Sequence, residues 1–140
     1  MIELPSQARV VIIGGGVIGC SVAYHLAELG WRDVVLLERK QLTCGTTWHA
    51  AGLIAQLRAT ANMTKLAKYT HELYGTLEAE TGLATGFKRV GSISVALTDE
   101  RYEELQRGAS MARAFGVEVE TISVTEAKRR HPLLNLDGVV

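Results

Sequence analysis

Residues 10–19 read Val10-Val11-Ile12-Ile13-Gly14-Gly15-Gly16-Val17-Ile18-Gly19, and this stretch decides the fold. Val10 to Ile13 is an unbroken β-branched run, the pattern of a strand buried on both faces of a parallel sheet. Three glycines end it. From Val17 the period changes: Val17, Ile18, Ala23, Leu26 and Ala27 fall near one helical face, and Gly30 is a natural stop. After Trp31-Arg32-Asp33 a second apolar run, Val34 to Leu37, closes at Glu38. Strand, glycine turn, helix, strand: this is a βαβ unit of about thirty residues.

Gly14, Gly16 and Gly19 set out G-x-G-x-x-G. Glycine supplies 14 of the 140 residues, so the spacing alone is a weak signal. Its context is specific. The pattern follows a strand, opens a helix, and the next strand ends in Glu38, 19 residues after Gly19. Gly14 permits the tight turn, Gly16 lets backbone approach a pyrophosphate, and Gly19 allows close packing of helix on strand. The N–H groups at Val17 and Ile18 face the phosphates along the helix dipole. Glu38 accepts hydrogen bonds from an adenosine ribose, which favours a free 2′-hydroxyl over a 2′-phosphate, and Arg39 lies beside the adenine or in solvent. Against this stands a glycine-rich turn that binds nothing. The turn by itself does not separate FAD from NAD.

The rest of the chain supplies further elements. Gln41 to Gly52 reads as a loop entering a short helix. Met63 to Glu80 is the clearest helix, with apolar residues recurring at three and four and Gly82 and Gly86 after it. Ile93, Val95 and Leu97 alternate with Ser92, Ser94 and Ala96 as a half-buried strand, and Val117, Val119 and Thr121 suggest another. Between them Asp99 to Phe115 forms an amphipathic helix. Ser123-Val124-Thr125-Glu126 is a capping box opening a short helix that Pro132 stops. Gly138-Val139-Val140 has the look of a strand beginning.

The fold class is therefore α/β: a Rossmann-like βαβ nucleotide-binding fold with part of a mixed-sheet substrate domain. Residues 1–60 hold the βαβ unit and the loop after it. Residues 61–140 hold helices and strands that begin a second region. So small a sheet, and a strand that only begins, point to an N-terminal piece of a longer chain.

Composition excludes several classes. Hydrophobic residues make up 47% and charged residues 21%, as in a soluble globular domain and unlike a disordered chain or coiled coil. Fifteen Lys and Arg balance fifteen Asp and Glu, and no basic stripe advertises nucleic acid or an anionic membrane. The uncharged run between Arg9 and His25 is 15 residues with four glycines, short of the roughly 18 of a membrane span. The same glycines suit a signal-peptide core poorly. Cys20 and Cys44 form no CxxC, and His25, His49, His71 and His131 do not pair at metal-ligand spacing. No metal, no disulfide framework and a reducing, cytoplasmic setting are expected.

The segment after Glu38 is more telling: Leu42-Thr43-Cys44-Gly45-Thr46-Thr47-Trp48-His49-Ala50-Ala51-Gly52-Leu53. Together with Val11 to Gly19 and Glu38 it resembles the FAD-dependent amine oxidoreductases of the D-amino-acid oxidase superfamily, and within them the dimethylglycine and sarcosine dehydrogenases. The resemblance runs on through Gly91-Ser92-Ile93, Thr125-Glu126-Ala127 and His131-Pro132-Leu133-Leu134. Small residues at Gly45, Ala50, Ala51 and Gly52 let backbone run close to a flat ligand, and the Thr46 and Thr47 hydroxyls suit a pyrophosphate or ribityl chain.

The resemblance implies that FAD is the cofactor, contacted by Gly45, Thr46, Thr47, His49, Ala51, Gly52 and Leu53. It implies that His49 carries the flavin covalently, from a ring nitrogen to the 8α-methyl carbon; a neutral imidazole is nucleophilic near pH 7. The alternative is a His49 that only packs near a non-covalent flavin. Trp48 would shield the ring edge or fill core space, and Arg58 would contact the flavin, a substrate carboxylate or solvent. The implied substrate is a small N-methyl amino acid, dimethylglycine or sarcosine, which loses a hydride to flavin N5. The resulting iminium yields formaldehyde, or passes its one-carbon unit to tetrahydrofolate in a C-terminal domain. Oxygen or an electron-transfer flavoprotein would accept the electrons. Acid–base and substrate-binding residues would lie beyond residue 140. Two other readings remain open: a glycine oxidase or a 2-hydroxyacid or glycerol-phosphate oxidoreductase of the same superfamily, and a nucleotide-binding module without chemistry.

Overall fold

Four β-branched residues in a row favour extended backbone, and Val10–Ile13 forms strand β1 of the computed structural model, which describes residues 5–140. Strand β2, Val34–Leu37, lies parallel to it, with Val10 opposite Val34 and Ile13 opposite Leu37. Parallel neighbours need a crossover, and helix α1, Val17–Glu28, supplies it. Gly30, at φ +81°, lets the chain turn out of α1 as expected. The chain divides into two compact units, one ending at Leu53 and one running from Ile54 to Val140.

In the first unit the pleat turns Ile12 toward α1. A Cβ on Gly19 would come 3.3 Å from Ile12 Cγ2, and Ile12 is buried. Val11 and Ile13 point the other way and are 53% and 87% exposed. The expectation that β1 is buried on both faces is thus corrected, because one helix covers one face of a two-stranded sheet. The expected apolar face of α1 is narrower too. Ala23 and Leu26 are half-buried, while Val17, Ile18 and Ala27 are exposed.

The second unit is helical. Helix α2, Ala61–Thr81, starts at Thr60, whose hydroxyl accepts the Met63 N–H, and stops at Gly82 in the left-handed region. Helix α3, Asp99–Ala114, starts at Thr98, whose hydroxyl accepts the Arg101 N–H. Helix α4, Val124–Arg130, starts at Ser123, whose hydroxyl accepts the Glu126 N–H at 3.1 Å. Only that half of the expected capping box forms, because the Glu126 carboxylate turns to Arg129 and Arg130 instead. The buried residues are small: Thr64, Ala96, Ala109, Ala112 and Ala127. Thr64 is satisfied by accepting the Arg58 N–H and donating to the Arg58 carbonyl. Lys68 Nζ donates to the Gly116 carbonyl at 2.6 Å and ties the end of α3 to α2.

The two strands expected around residues 92–97 and 117–121 do not form among the described residues. Alternation reads side chains, whereas a strand needs a ladder partner. The first segment receives a single bond of that kind, from the Val140 N–H to the Ala96 carbonyl. It also buries Ala96 and leaves Leu97 65% exposed, the reverse of the expected face. In the second, Val117 and Val119 are half-buried between exposed Glu118 and Glu120, so the burial alternates without a partner strand. The strand expected to begin at Gly138–Val140 does not form: the Val139 N–H turns back to the Leu136 carbonyl, and the Val140 N–H makes the bond to Ala96.

Candidate functional site

Parallel register brings the ends of β1 and β2 together, so Gly14 and Glu38 leave the sheet side by side. The Gly14 N–H continues the ladder to the Leu37 carbonyl at 2.8 Å. Gly14 then takes φ +105°, which only glycine adopts readily. Gly15 donates its N–H to Glu38 Oε2 at 2.8 Å, and Lys40 donates its N–H to Oε1 at 3.0 Å. These bonds, Gly15 first and Lys40 next, hold the Glu38 carboxyl below its ordinary 4.5 against a small opposing effect of desolvation. The carboxylate is therefore ionised at neutral pH.

Helix α1 opens at Gly16, which offers no side-chain cap. The loop after Glu38 folds back to serve that end. Thr47, in a single 3-10 turn at Thr46–His49, accepts the Val17 N–H on Oγ1 at 2.9 Å. Thr43 donates its N–H to the Gly15 carbonyl at 2.8 Å. A Cβ on Gly16 would come 3.1 Å from Thr47 Oγ1, and one on Gly15 would meet Leu42 Cδ2 at 2.5 Å. At Gly19 a Cβ would run into the Gly14 carbonyl oxygen. Of the three, only Gly19 faces backbone; Gly15 and Gly16 face side chains.

Of the residues singled out in the sequence, hydrogen bonds bring together Glu38, the glycine turn, Val17 and Thr47. Ile18 is 79% exposed on the first turn of α1. Arg39 is exposed beside Glu38, and Gly45, Thr46, Ala51 and Gly52 are exposed along the loop. Leu53 is 85% exposed. His49 is exposed and stacks against Trp48, the ring centroids 4.0 Å apart. Trp48 itself is 66% exposed, so it fills no core in this unit. Cys20 is half-buried, its thiol 3.5 Å from the Gly15 carbonyl, and Cys44 is an exposed free thiol. Gly15, Lys40 and Thr43 escaped the sequence reading. They act through backbone N–H and C=O groups, which every residue carries, so no residue-type signal marks them.

The residues present fit a flavin dinucleotide. A carboxylate has about four lone-pair sites, and those of Glu38 not taken by Gly15 and Lys40 suit ribose hydroxyls. Nothing lies within 4 Å of where a Cβ on Gly14 or Gly45 would sit, so backbone there is open to a close ligand. The α1 N-terminus carries positive dipole with a neutral hydroxyl, Thr47, already turned to it. Among the described residues no His, Cys, Asp and Glu cluster could hold a metal ion, and no helix is long and apolar enough to cross a membrane.

Comparison with known proteins agrees with this geometry. The chain is 47% identical over 137 residues to human mitochondrial sarcosine dehydrogenase, covering 97% of this chain and 15% of that protein. It is 46% identical over 139 residues to the mouse mitochondrial pyruvate dehydrogenase phosphatase regulatory subunit, covering 99% of this chain and 16% of that protein. To rat mitochondrial dimethylglycine dehydrogenase it is 43% identical over 138 residues, with 99% and 16% covered. The chain thus spans about 16% or less of the length of these relatives. Its structure matches a glycine oxidase from Bacillus cereus ATCC 14579 with a TM-score of 0.77 at 26% identity, over 96% of this chain and 38% of that one. The family model described as FAD dependent oxidoreductase (DAO) matches residues 9–140. The chain belongs to the DAO family of FAD-dependent oxidoreductases.

Proposed function

We propose that this chain is the FAD-binding part of an oxidoreductase acting on a small N-methyl amino acid, sarcosine or dimethylglycine, with FAD held covalently at His49. The observation that carries the reading is the meeting of Glu38, Gly15, Val17 and Thr47 at the sheet edge, with the loop bearing His49 folded onto it. The likeness to sarcosine and dimethylglycine dehydrogenases supports the substrate class. When bound, FAD would supply the two-electron (hydride-accepting) chemistry for oxidation at the N-methyl carbon. The chain's own residues bind and orient. Glu38 would hold the ribose, the α1 N-terminus and Thr47 the pyrophosphate, and the loop through His49, Ala51, Gly52 and Leu53 the flavin. Oxygen or an electron-transfer flavoprotein accepts the electrons, and tetrahydrofolate takes the one-carbon unit where a folate-binding domain is present. A reducing compartment, the cytoplasm, is part of the same proposal.

The test is flavin fluorescence in a denaturing gel, on the full-length protein and its His49→Ala variant. A fluorescent band that the variant loses supports attachment at His49. A yellow native protein whose flavin leaves the band ends the covalent reading and keeps FAD. A second reading, a flavin-binding regulatory subunit, is favoured by the 46% identity to the phosphatase regulatory subunit. Anaerobic bleaching of the flavin by sarcosine or dimethylglycine would exclude it; a flavin that neither amine bleaches would support it.

A further inference from the structure

The Gly15 carbonyl gathers Cys20 and the neighbour of Cys44. It accepts the Thr43 N–H at 2.8 Å, and the Cys20 thiol stands 3.5 Å from the same oxygen. Cys44 follows Thr43 directly. The loop is fastened to the start of α1 on both sides of Cys44, through Thr43 to Gly15 and through Thr47 Oγ1 to the Val17 N–H. Cys44 itself is held loosely. Its thiol is free and exposed, and its N–H reaches the Gln41 carbonyl only at 3.3 Å. Nothing lies within 4 Å of where a Cβ on the next residue, Gly45, would sit. The half-buried Cys20 thiol is also free.

We infer that Cys20 and Cys44 form a reversible disulfide that clamps the loop onto the start of α1 and controls the entry of FAD. A disulfide needs Cα atoms about 4.4–6.8 Å apart, a span the loop reaches by closing further onto α1 at Cys44 and Gly45. The oxidant is hydrogen peroxide. Cys44, the exposed thiol, reacts first: its sulfur attacks a peroxide oxygen, an S–O bond forms, the O–O bond breaks and water leaves. The Cys20 sulfur then attacks that of Cys44, the S–S bond forms, the S–O bond breaks and a second water leaves. Two thiols lose two protons and two electrons, and one peroxide becomes two waters. A dithiol reverses the bond by exchange. In a reducing compartment such a bond is transient and acts as a sensor. The inference rests on FAD reaching the α1 N-terminus beneath this loop, as proposed above.

The test uses full-length protein produced without flavin, kept in a dithiol or treated with hydrogen peroxide. Peptides carrying Cys20 and Cys44 are mapped by mass spectrometry, and FAD uptake is followed by fluorescence. Peroxide is expected to join the two peptides and a dithiol to release them. Joined protein is expected to take up FAD more slowly by about tenfold or more, because the loop no longer lifts. Cys20→Ser and Cys44→Ser should each make uptake indifferent to peroxide. Separate peptides after peroxide would overturn the inference, and so would Cys44 carried on to sulfinic acid with Cys20 still a thiol. Joined protein that takes up FAD as fast as the dithiol-treated protein would overturn it too, as would a peroxide effect that survives in both serine variants. Dithiol-treated protein that binds no FAD would remove the proposed FAD site and the inference with it, an outcome told apart because peptide joining is read without flavin.

Discussion

The carboxylate of Glu38 accepts the backbone N–H of Gly15 at 2.8 Å, so the residue suited to the ribose also fixes the glycine turn. Its second oxygen accepts the Lys40 N–H at 3.0 Å. Both oxygens therefore face donors. An amide in their place must set its own NH2 against one of those N–H groups, whichever way it is flipped. Glu38→Gln is thus expected to weaken FAD binding about tenfold or more, as losing a charge-assisted bond while leaving a donor unpaired would. Titration of the apo protein with FAD measures it. A variant with wild-type affinity would show that Glu38 serves neither turn nor ribose.

Gly19 and Gly16 separate fold from ligand. A Cβ at Gly19 would strike the Gly14 carbonyl oxygen, which is backbone and cannot step aside, whereas at Gly16 it meets only the Thr47 hydroxyl at 3.1 Å. Gly19→Ala is therefore expected to lower unfolding free energy by about 1–3 kcal/mol. Gly16→Ala should leave denaturation nearly unchanged and weaken FAD binding. Equal destabilisation by the two in urea titrations would contradict this division.

How much of this was legible in the sequence depended on what each residue contributes. The βαβ unit was readable because β-branched runs, glycines and a terminal acid are residue-type signals, and Gly19 packs against Gly14 and Glu38 ends β2 where those signals put them. The helix start at Ser123 follows from its side-chain cap in the same way, whereas the caps at Thr60 and Thr98 were not read and α2 begins at Ala61, before the expected Met63. Pairing was less readable. Ile93, Val95 and Leu97 alternate correctly, yet a ladder depends on a partner elsewhere, and only the Val140 N–H reaches this segment. The exposed face of β1, with Ile13 87% exposed, was missed for a related reason. Hydrophobicity states what a face tolerates and leaves open what covers it.

Glu126 sets an acid limb. Bonds to Arg129, then Arg130, bring its carboxyl down from 4.5 to about 2. A depressed folded value means the ionised form is favoured by folding, so the contribution is complete above about pH 4.5 and fades as pH falls toward 2. Glu126→Gln should narrow the stability difference from wild type across that window, and the two should converge below it. The group is exposed enough that added salt should shrink the gap. Thermal melts from pH 2 to 7 check this, and a gap that widens on acidification would refute it.

Thr43 sits at φ +65°, the one residue other than glycine with positive φ among those described. A β-branched side chain is poorly suited to that region, at a cost of about 1–2 kcal/mol. What holds it there is its N–H, which closes the loop onto the Gly15 carbonyl at 2.8 Å. Asparagine tolerates the conformation and keeps the N–H, so Thr43→Asn is expected to raise stability by about 1 kcal/mol and leave FAD affinity within about twofold. Proline forces φ to about −65° and has no N–H. Thr43→Pro should therefore release the loop from Gly15, withdraw Thr47 from the α1 N-terminus, and weaken FAD binding well beyond any loss in stability. Urea midpoints and FAD titrations on the two variants separate these effects. If Thr43→Asn instead weakened FAD binding while stabilising the chain, the Thr43 side chain, and not its backbone bond, would be the group the cofactor uses.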